Sequence, residues 1–252
     1  MDLRDKVALL TGGAGGIGRA TALQLAEAGA VVVVADWDES AGRAVADEVG
    51  GHFVQVDVRS LEANEQMVRF AVEQCGGVDY VFLNAGVATG TWFGDDFEIE
   101  LYRRAMAINL DGVAFGVQAA LGALRERGGG SIVATASLAG LTGMPMDPIY
   151  SANKHGVVGL VRALAPALAG EGIRVNAVCP GFTESALTKG LEEGIAQYNV
   201  PIMPASDVAS VVVNLFAGEM AGEVWFVQPG RAGAFEFRHV PGPRLTPSSE
   251  ES

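Results

Sequence analysis

Cysteine is scarce in this chain of 252 residues: Cys75 and Cys179 are the two present, and they share no Cys-x-x-Cys spacing. That excludes a disulfide framework and a thiolate zinc site. His52, His155 and His239 are equally scattered, with no His-Glu-x-x-His run and no carboxylate cluster at ligand spacing, so no metal is expected. Basic residues are few as well: 17 Lys and Arg against 30 Asp and Glu leave a formal net charge of −13. A field of that sign repels phosphate backbones and anionic headgroups, so neither nucleic acid nor membrane is an expected partner. Long hydrophobic runs are missing too; stretches such as residues 30–35 fall far short of the roughly 20 residues of a membrane span. The start, Met1-Asp2-Leu3-Arg4-Asp5-Lys6, lacks the pattern of a signal peptide, and a cytoplasmic location is expected.

What the chain has in quantity is apolar and small, with 49% hydrophobic residues and 34 glycines, enough to bury a large core and to exclude disorder. Short β-branched runs at 7–10, 31–35, 53–58, 78–83, 131–134, 174–178 and 223–227 each read as a strand buried on both faces. Helical spacing fills 17–28, 39–49, 61–74, about 97–125, about 150–169 and 208–216. Parallel strands need crossovers of this kind, so the expected fold is α/β: a Rossmann-type, doubly wound sheet of about seven parallel strands with helices on both faces. No internal repeat or boundary interrupts residues 1–237, which read as one domain; residues 238–252, rich in Pro and Ser, read as a C-terminal tail.

The first strand runs into Thr11-Gly12-Gly13-Ala14-Gly15-Gly16-Ile17-Gly18 and then straight into a helix. Glycines there let the backbone approach a pyrophosphate, and the helix start offers unpaired N–H groups and a partial positive charge. Two spacings fit equally: Gly13, Gly15 and Gly18 as G-x-G-x-x-G, or Gly12, Gly16 and Gly18 as T-G-x3-G-x-G. A triphosphate-binding loop would need Lys-Ser/Thr after the glycines, where Arg19-Ala20 stand. Asp36 closes strand two, near the interval at which a carboxylate accepts from an adenosine ribose. It also repels a 2′-phosphate, and Trp37 supplies no compensating cation, so NAD is favoured over NADP. Asp57, closing strand three, either accepts from the adenine amino group or caps the next loop.

Tyr150 and Lys154 open a helix four residues apart, on one face. Lysine stands only at positions 6, 154 and 189, so the pairing is informative. A phenol of pKa about 10 is too weak an acid to serve as base at neutral pH. An ammonium at about 5 Å and an effective dielectric of about 20 favours the phenolate by about 3.3 kcal/mol, or about 2.4 pK units. Ser137 ends strand five on the ligand side of such a sheet, placed to hydrogen-bond a reacting oxygen. Asn109, in an otherwise apolar helix, either holds a water linking Lys154 to solvent or bends the helix.

In their order these residues resemble the short-chain dehydrogenase/reductase family, in its short single-domain branch. The matching marks are Thr11-Gly12, Gly16-Ile17-Gly18, Asp36, Asp57-Val58, Asn84-Ala85-Gly86, Asn109, Ser137, Tyr150 with Lys154, and Asn176-Ala-Val-Cys-Pro-Gly181. Stretches such as Ala35-Asp36-Trp37 and Cys179-Pro-Gly-Phe182 look most like 15-hydroxyprostaglandin dehydrogenase and its relatives, whose substrate is not carried over. The resemblance implies a phosphate loop of Gly12, Gly16 and Gly18 and a catalytic tetrad of Asn109, Ser137, Tyr150 and Lys154. Tyr150 would be the acid/base, with Lys154 also gripping the nicotinamide ribose. NAD would be held further by Ile17, Asp36, Trp37, Asp57, Val58, Asn84, Ala85 and Gly86. The segment of Pro180, Gly181 and Thr183 would touch the nicotinamide carboxamide. A homodimer or homotetramer is likewise implied. Leu83 and Ser185 depart from the family's usual Asn and Thr, and the carboxyl end lacks its usual Asp-Gly-Gly.

The loops after strands four to six offer Trp92, Phe93, Leu138, Leu141, Met144 and Met146, with a covering loop from 185 to about 205 whose Lys189, Glu192 and Glu193 face water. Such a lining suits a hydrophobic secondary alcohol or the matching ketone better than a sugar or phosphorylated metabolite. The expected activity is NAD-dependent hydride transfer to or from that small molecule. Two alternatives are a catalytically idle NAD-binding regulatory protein and an adenosyl-cofactor methyltransferase. Retention of all four tetrad residues argues against the first, and the Tyr/Lys spacing against the second.

Overall fold

The computed structural model describes residues 2–189 and 201–237. Eight strands form one sheet in the order β3-β2-β1-β4-β5-β6-β7-β8. They are β1 (Val7–Thr11), β2 (Val31–Asp36), β3 (His52–Gln55), β4 (Tyr80–Leu83), β5 (Gly130–Thr135), β6 (Ile173–Pro180), β7 (Val224–Gln228) and β8 (Arg231–Ala234). Seven are parallel, as expected; β8 is an addition, antiparallel to β7. Its sequence, Arg-Ala-Gly-Ala, has no β-branched residue to announce a strand. The Pro229-Gly230 turn before it, with Gly230 at φ +73°, is the local signal.

Alternate strand residues pack on opposite faces. Leu9, Val33, Val81, Ile132 and Val175 join one apolar layer, and Leu10, Val34, Phe82, Val133 and Val178 the other. The first layer is covered by α3 (Leu61–Cys75), α5 (Gly112–Glu126) and α6 (Pro148–Leu168). The second is covered by α1 (Gly16–Glu27), α2 (Glu39–Val49) and α7 (Ala205–Ala217). Burial on both faces is why the strands read as unbroken apolar runs rather than alternating ones.

The long helical stretch expected near 97–125 is α4 (Ile99–Met106) and α5 joined by one π-helical turn, Ala107–Asp111. By length and composition this 28-residue helix passes as a membrane span. Here it serves as a core helix, with Val113, Val117, Ala120 and Leu124 buried against the sheet. The order of strands reverses between β1 and β4, which opens a crevice at their carboxyl ends. The 238–252 tail of the sequence reading lies outside the described residues.

Candidate active site

The glycine loop sits between β1 and α1, and its backbone decides which glycines matter. Gly12 and Gly16 have φ of +62° and +51°, a region that favours glycine. A Cβ on Gly18 would stand 2.0 Å from the Gly12 carbonyl oxygen, an impossible approach. On Gly15 it would meet nothing within 4 Å, and on Gly13 chiefly the Val34 methyl at 3.0 Å. The T-G-x3-G-x-G pattern is therefore the one the backbone requires. Gly15 precedes α1 as its N-cap and supplies no side-chain cap, which leaves first-turn N–H groups open to another acceptor.

The neighbouring strand ends brace this loop. Asp36 is 7% exposed, and its carboxylate accepts from the N–H groups of Ala14 (3.0 Å) and Asp38 (3.1 Å), so it lies directly against the turn. Asn84 donates to the Gly12 carbonyl at 3.0 Å and accepts from the Thr135 hydroxyl at 3.0 Å, tying the ends of β1, β4 and β5 together. Trp37 beside Asp36 is 78% exposed. Asp57 is bound by its neighbour Arg59 at both carboxylate oxygens, which with the Arg59 N–H outweighs burial and holds its pKa below the usual value. Val58 is buried, and its carbonyl accepts from Asn64.

Across the crevice, α6 presents Tyr150 and Lys154 one turn apart, with the Lys154 Nζ 5.6 Å from the tyrosine ring centroid. Lys154 is 2% exposed, and its ammonium donates to the Thr135 carbonyl at 2.7 Å. Burial lowers its pKa to about 8. Burial also dominates at Tyr150 and raises its pKa to about 12; the Ser137 hydroxyl pulls it down, while Asp147 and Cys179 push it up. Ser137 stands just beyond β5, its Oγ accepting from the Ala139 N–H at 3.1 Å. Asn109 lies in the π-helical turn, and its side chain both donates to and accepts from the Val87 backbone, at 2.9 and 2.8 Å. The helix is π-helical at this point, and the two bonds to Val87 take one of the amide's two N–H donors and one of its two acceptor lone pairs. Gly86 sits against this pair, its missing Cβ 3.3 Å from Asn109 Oδ1 and 3.6 Å from Lys154 Nζ.

Beyond β6, Gly181 pairs with Val227 through its N–H, and Thr183 is buried with its hydroxyl donating to the Gly181 carbonyl. A Cβ on Gly16 would stand 3.0 Å from that of Ser185. Trp92 and Phe93 are exposed, Phe93 stacks on Phe97 at 5.9 Å, and Met146 is exposed nearby in sequence to the half-buried Leu141 and Met144. Lys189 faces water, whereas Glu192 and Glu193 lie outside the described residues. Among the described residues no three His, Cys, Asp or Glu side chains gather as metal ligands. Sequence reasoning passed over Asp147, whose carboxylate accepts from the Tyr150 N–H at 2.8 Å and the Thr89 N–H at 3.1 Å. An Asp directly before Pro148 at a helix start was its readable signal.

The family model for the short chain dehydrogenase matches residues 6–196. The chain belongs to the short-chain dehydrogenase family. Cyclohexanol dehydrogenase of Acinetobacter sp. (strain SE19) is 39% identical over 194 residues, covering 75% of this chain and 77% of that one. Trans-4-hydroxycyclohexanecarboxylate dehydrogenase of Sinomonas cyclohexanicum is 38% identical over 204 residues, covering 77% and 78%. The crystal structure of a short-chain type dehydrogenase/reductase from Mycobacterium marinum aligns with a TM-score of 0.85 at 32% identity, over 91% of this chain and 96% of that one. This chain is accordingly an oxidoreductase of the short-chain dehydrogenase class.

Proposed function

We propose that the enzyme moves a hydride between a hydrophobic, cyclic secondary alcohol and NAD, with Tyr150 as acid/base in a tetrad with Ser137, Lys154 and Asn109. The observation that carries this reading is Tyr150 and Lys154 on one face of α6, with Ser137 acting on the same phenol, across a crevice from a glycine cradle. The cradle fits a dinucleotide: Gly12, Gly16 and Gly18 keep side chains out of the turn, and the uncapped start of α1 offers N–H groups to a pyrophosphate. Asp36, with one hydrogen bond at each carboxylate oxygen, keeps lone pairs for ribose hydroxyls and repels a 2′-phosphate. Asn84, Ala85 and Gly86 would flank the nicotinamide side with Ile17, Pro180, Gly181 and Thr183. Asp57 would have to share its carboxylate with Arg59 to reach an adenine. When bound, the oxidised nicotinamide supplies the hydride acceptor and a positive charge.

The chain's own residues do the rest. Ser137 hydrogen-bonds the alcohol oxygen, and Tyr150, ionised beside the Lys154 ammonium, takes the alcohol proton and becomes the neutral phenol. Trp92, Phe93, Leu138, Leu141, Met144 and Met146 offer an apolar surface to the carbon skeleton, in keeping with the cyclohexanol substrate named for one relative. An idle cofactor-binding protein or a methyltransferase has no use for an acid/base pair of this geometry. The test is Tyr150→Phe: cyclohexanol-dependent NAD reduction is expected to fall at least about 10³-fold with NAD affinity nearly unchanged. Substantial turnover by that variant would overturn the assignment.

A further inference from the structure

We propose that Asp147 is a positioning residue for this reaction, a single carboxylate that bolts the first turn of α6, carrying Tyr150, to the loop leaving β4, carrying Gly86. The inference rests on the oxidoreductase reading above and concerns how its acid/base is held. Oδ1 accepts from the Tyr150 N–H at 2.8 Å and Oδ2 from the Thr89 N–H at 3.1 Å. A helix cap needs only the first of these, and Ser or Asn provides it equally well. The second bond needs a second acceptor oxygen, which among capping side chains only Asp has.

The loop so held is pinned again two residues earlier, where Asn109 grips both polar groups of Val87. Thr89 is 1% exposed, so its N–H has no recourse to water if Asp147 is lost. Directly before the first pin, Gly86 lies against Asn109 and Lys154. Asp147 thus fixes the distance between the phenol and the wall that carries Gly86, and a misplacement of about 1 Å in such a site lowers turnover about 100-fold.

The same carboxylate faces the phenol electrostatically. The groups acting around Tyr150 are the Ser137 hydroxyl beyond β5, the Cys179 thiol on β6, Lys154 on α6 and Asp147 at its start. On α4, Glu100 and Arg103 pair with each other. Asp147 opposes ionisation of the phenol, so its removal has two separable effects: looser geometry and a more acidic Tyr150.

Asp147→Ser keeps the cap and loses the tie to Thr89, and Asp147→Asn sets an amide N–H against the Thr89 N–H. For both, the expected result is a kcat for cyclohexanol lowered at least about tenfold with NAD affinity within about twofold of wild type. The acid limb of the kcat profile should move to lower pH by up to about one unit, and hydrogen exchange at the Thr89 amide should quicken. Wild-type protection at Thr89, or an unmoved acid limb with only a lower melting temperature, would overturn the proposal. If wild type oxidises no alcohol, the functional reading fails separately. Thr89 exchange and the tyrosinate absorbance of Tyr150, taken as the difference from Tyr150→Phe, then judge Asp147 alone, and an unchanged midpoint in Asp147→Asn rejects it.

Discussion

Substituting alanine for each glycine of the β1–α1 loop separates the two patterns the sequence allows. At Gly18 the new Cβ would stand 2.0 Å from the Gly12 carbonyl oxygen and 2.9 Å from the Gly13 Cα, both backbone atoms that cannot swing aside. Ordinary contact begins near 3.4 Å, so the turn must open by about 1.4 Å. Overpacking of this kind destabilises by about 1–3 kcal/mol, and a pyrophosphate cradle displaced that far loses its aligned N–H groups. NAD affinity should fall at least about 100-fold, or about 2.7 kcal/mol. At Gly15 the Cβ meets nothing and φ is −166°, extended backbone that alanine adopts freely. That variant should bind NAD within about threefold of wild type and melt no lower, since it also restricts the unfolded chain. Calorimetric NAD titration with thermal melts of both variants is the assay. Equal loss at the two positions, or normal binding by Gly18→Ala, would refute the reasoning.

Asp79 should govern acid stability. Burial raises its pKa, but the Val7 N–H, Arg127 and Lys6 outweigh that and leave it below 3.8. Because the folded value is depressed, its contribution is present above the unfolded pKa and lost as pH falls through the folded one. Asp79→Asn should cost about 2–3 kcal/mol at neutral pH, by urea unfolding, and flatten the acid slope; its partners are part-exposed and can rehydrate. Asp36→Ala should weaken NAD about tenfold while raising the NADP-to-NAD preference at least about tenfold, by steady-state kinetics with each cofactor. Prolonged chelation should leave turnover unchanged, and a loss restored by a divalent cation would contradict the metal-free mechanism.

Much of this was legible in order along the chain because the strands are buried on both faces and the helices are long. Both give strong local periodicity, and Asp36, Asn84, Ser137 and Pro180 fall at strand ends that the topology brings to one edge. What stayed hidden depends on contacts between distant segments. The β8 hairpin rests on pairing with β7, and the Asp147 tie to Thr89 spans 58 positions. The approach of Ser185 to Gly16 likewise joins segments far apart in the chain. The spacing of glycines could not choose a pattern, whereas φ angles and close approaches do.

Electrostatics shows the gap most clearly. From spacing alone, a charged Lys154 lowers the Tyr150 pKa by about 2.4 units. In the folded chain Lys154 is buried and Tyr150 half-buried, and the loss of water penalises both charges: lysine falls to about 8 and tyrosine rises to about 12. As pH rises, Lys154 gives up its proton first, so no ammonium remains when the phenol of the free chain titrates. Lys154→Met should therefore hardly move the tyrosinate titration of Tyr150 in the free protein. During turnover the order reverses, because proton transfer from the alcohol is felt at neutral pH, where Lys154 is still largely charged. There the same variant removes a charge 5.6 Å from the ring, worth about 3 kcal/mol at a dielectric of about 20, and the acid limb of kcat should move upward by about 2 units. Asp147→Asn should move it the opposite way. A tyrosinate midpoint near 8 in the free wild-type protein, or a common direction of shift in the two variants, would show that burial does not control this phenol.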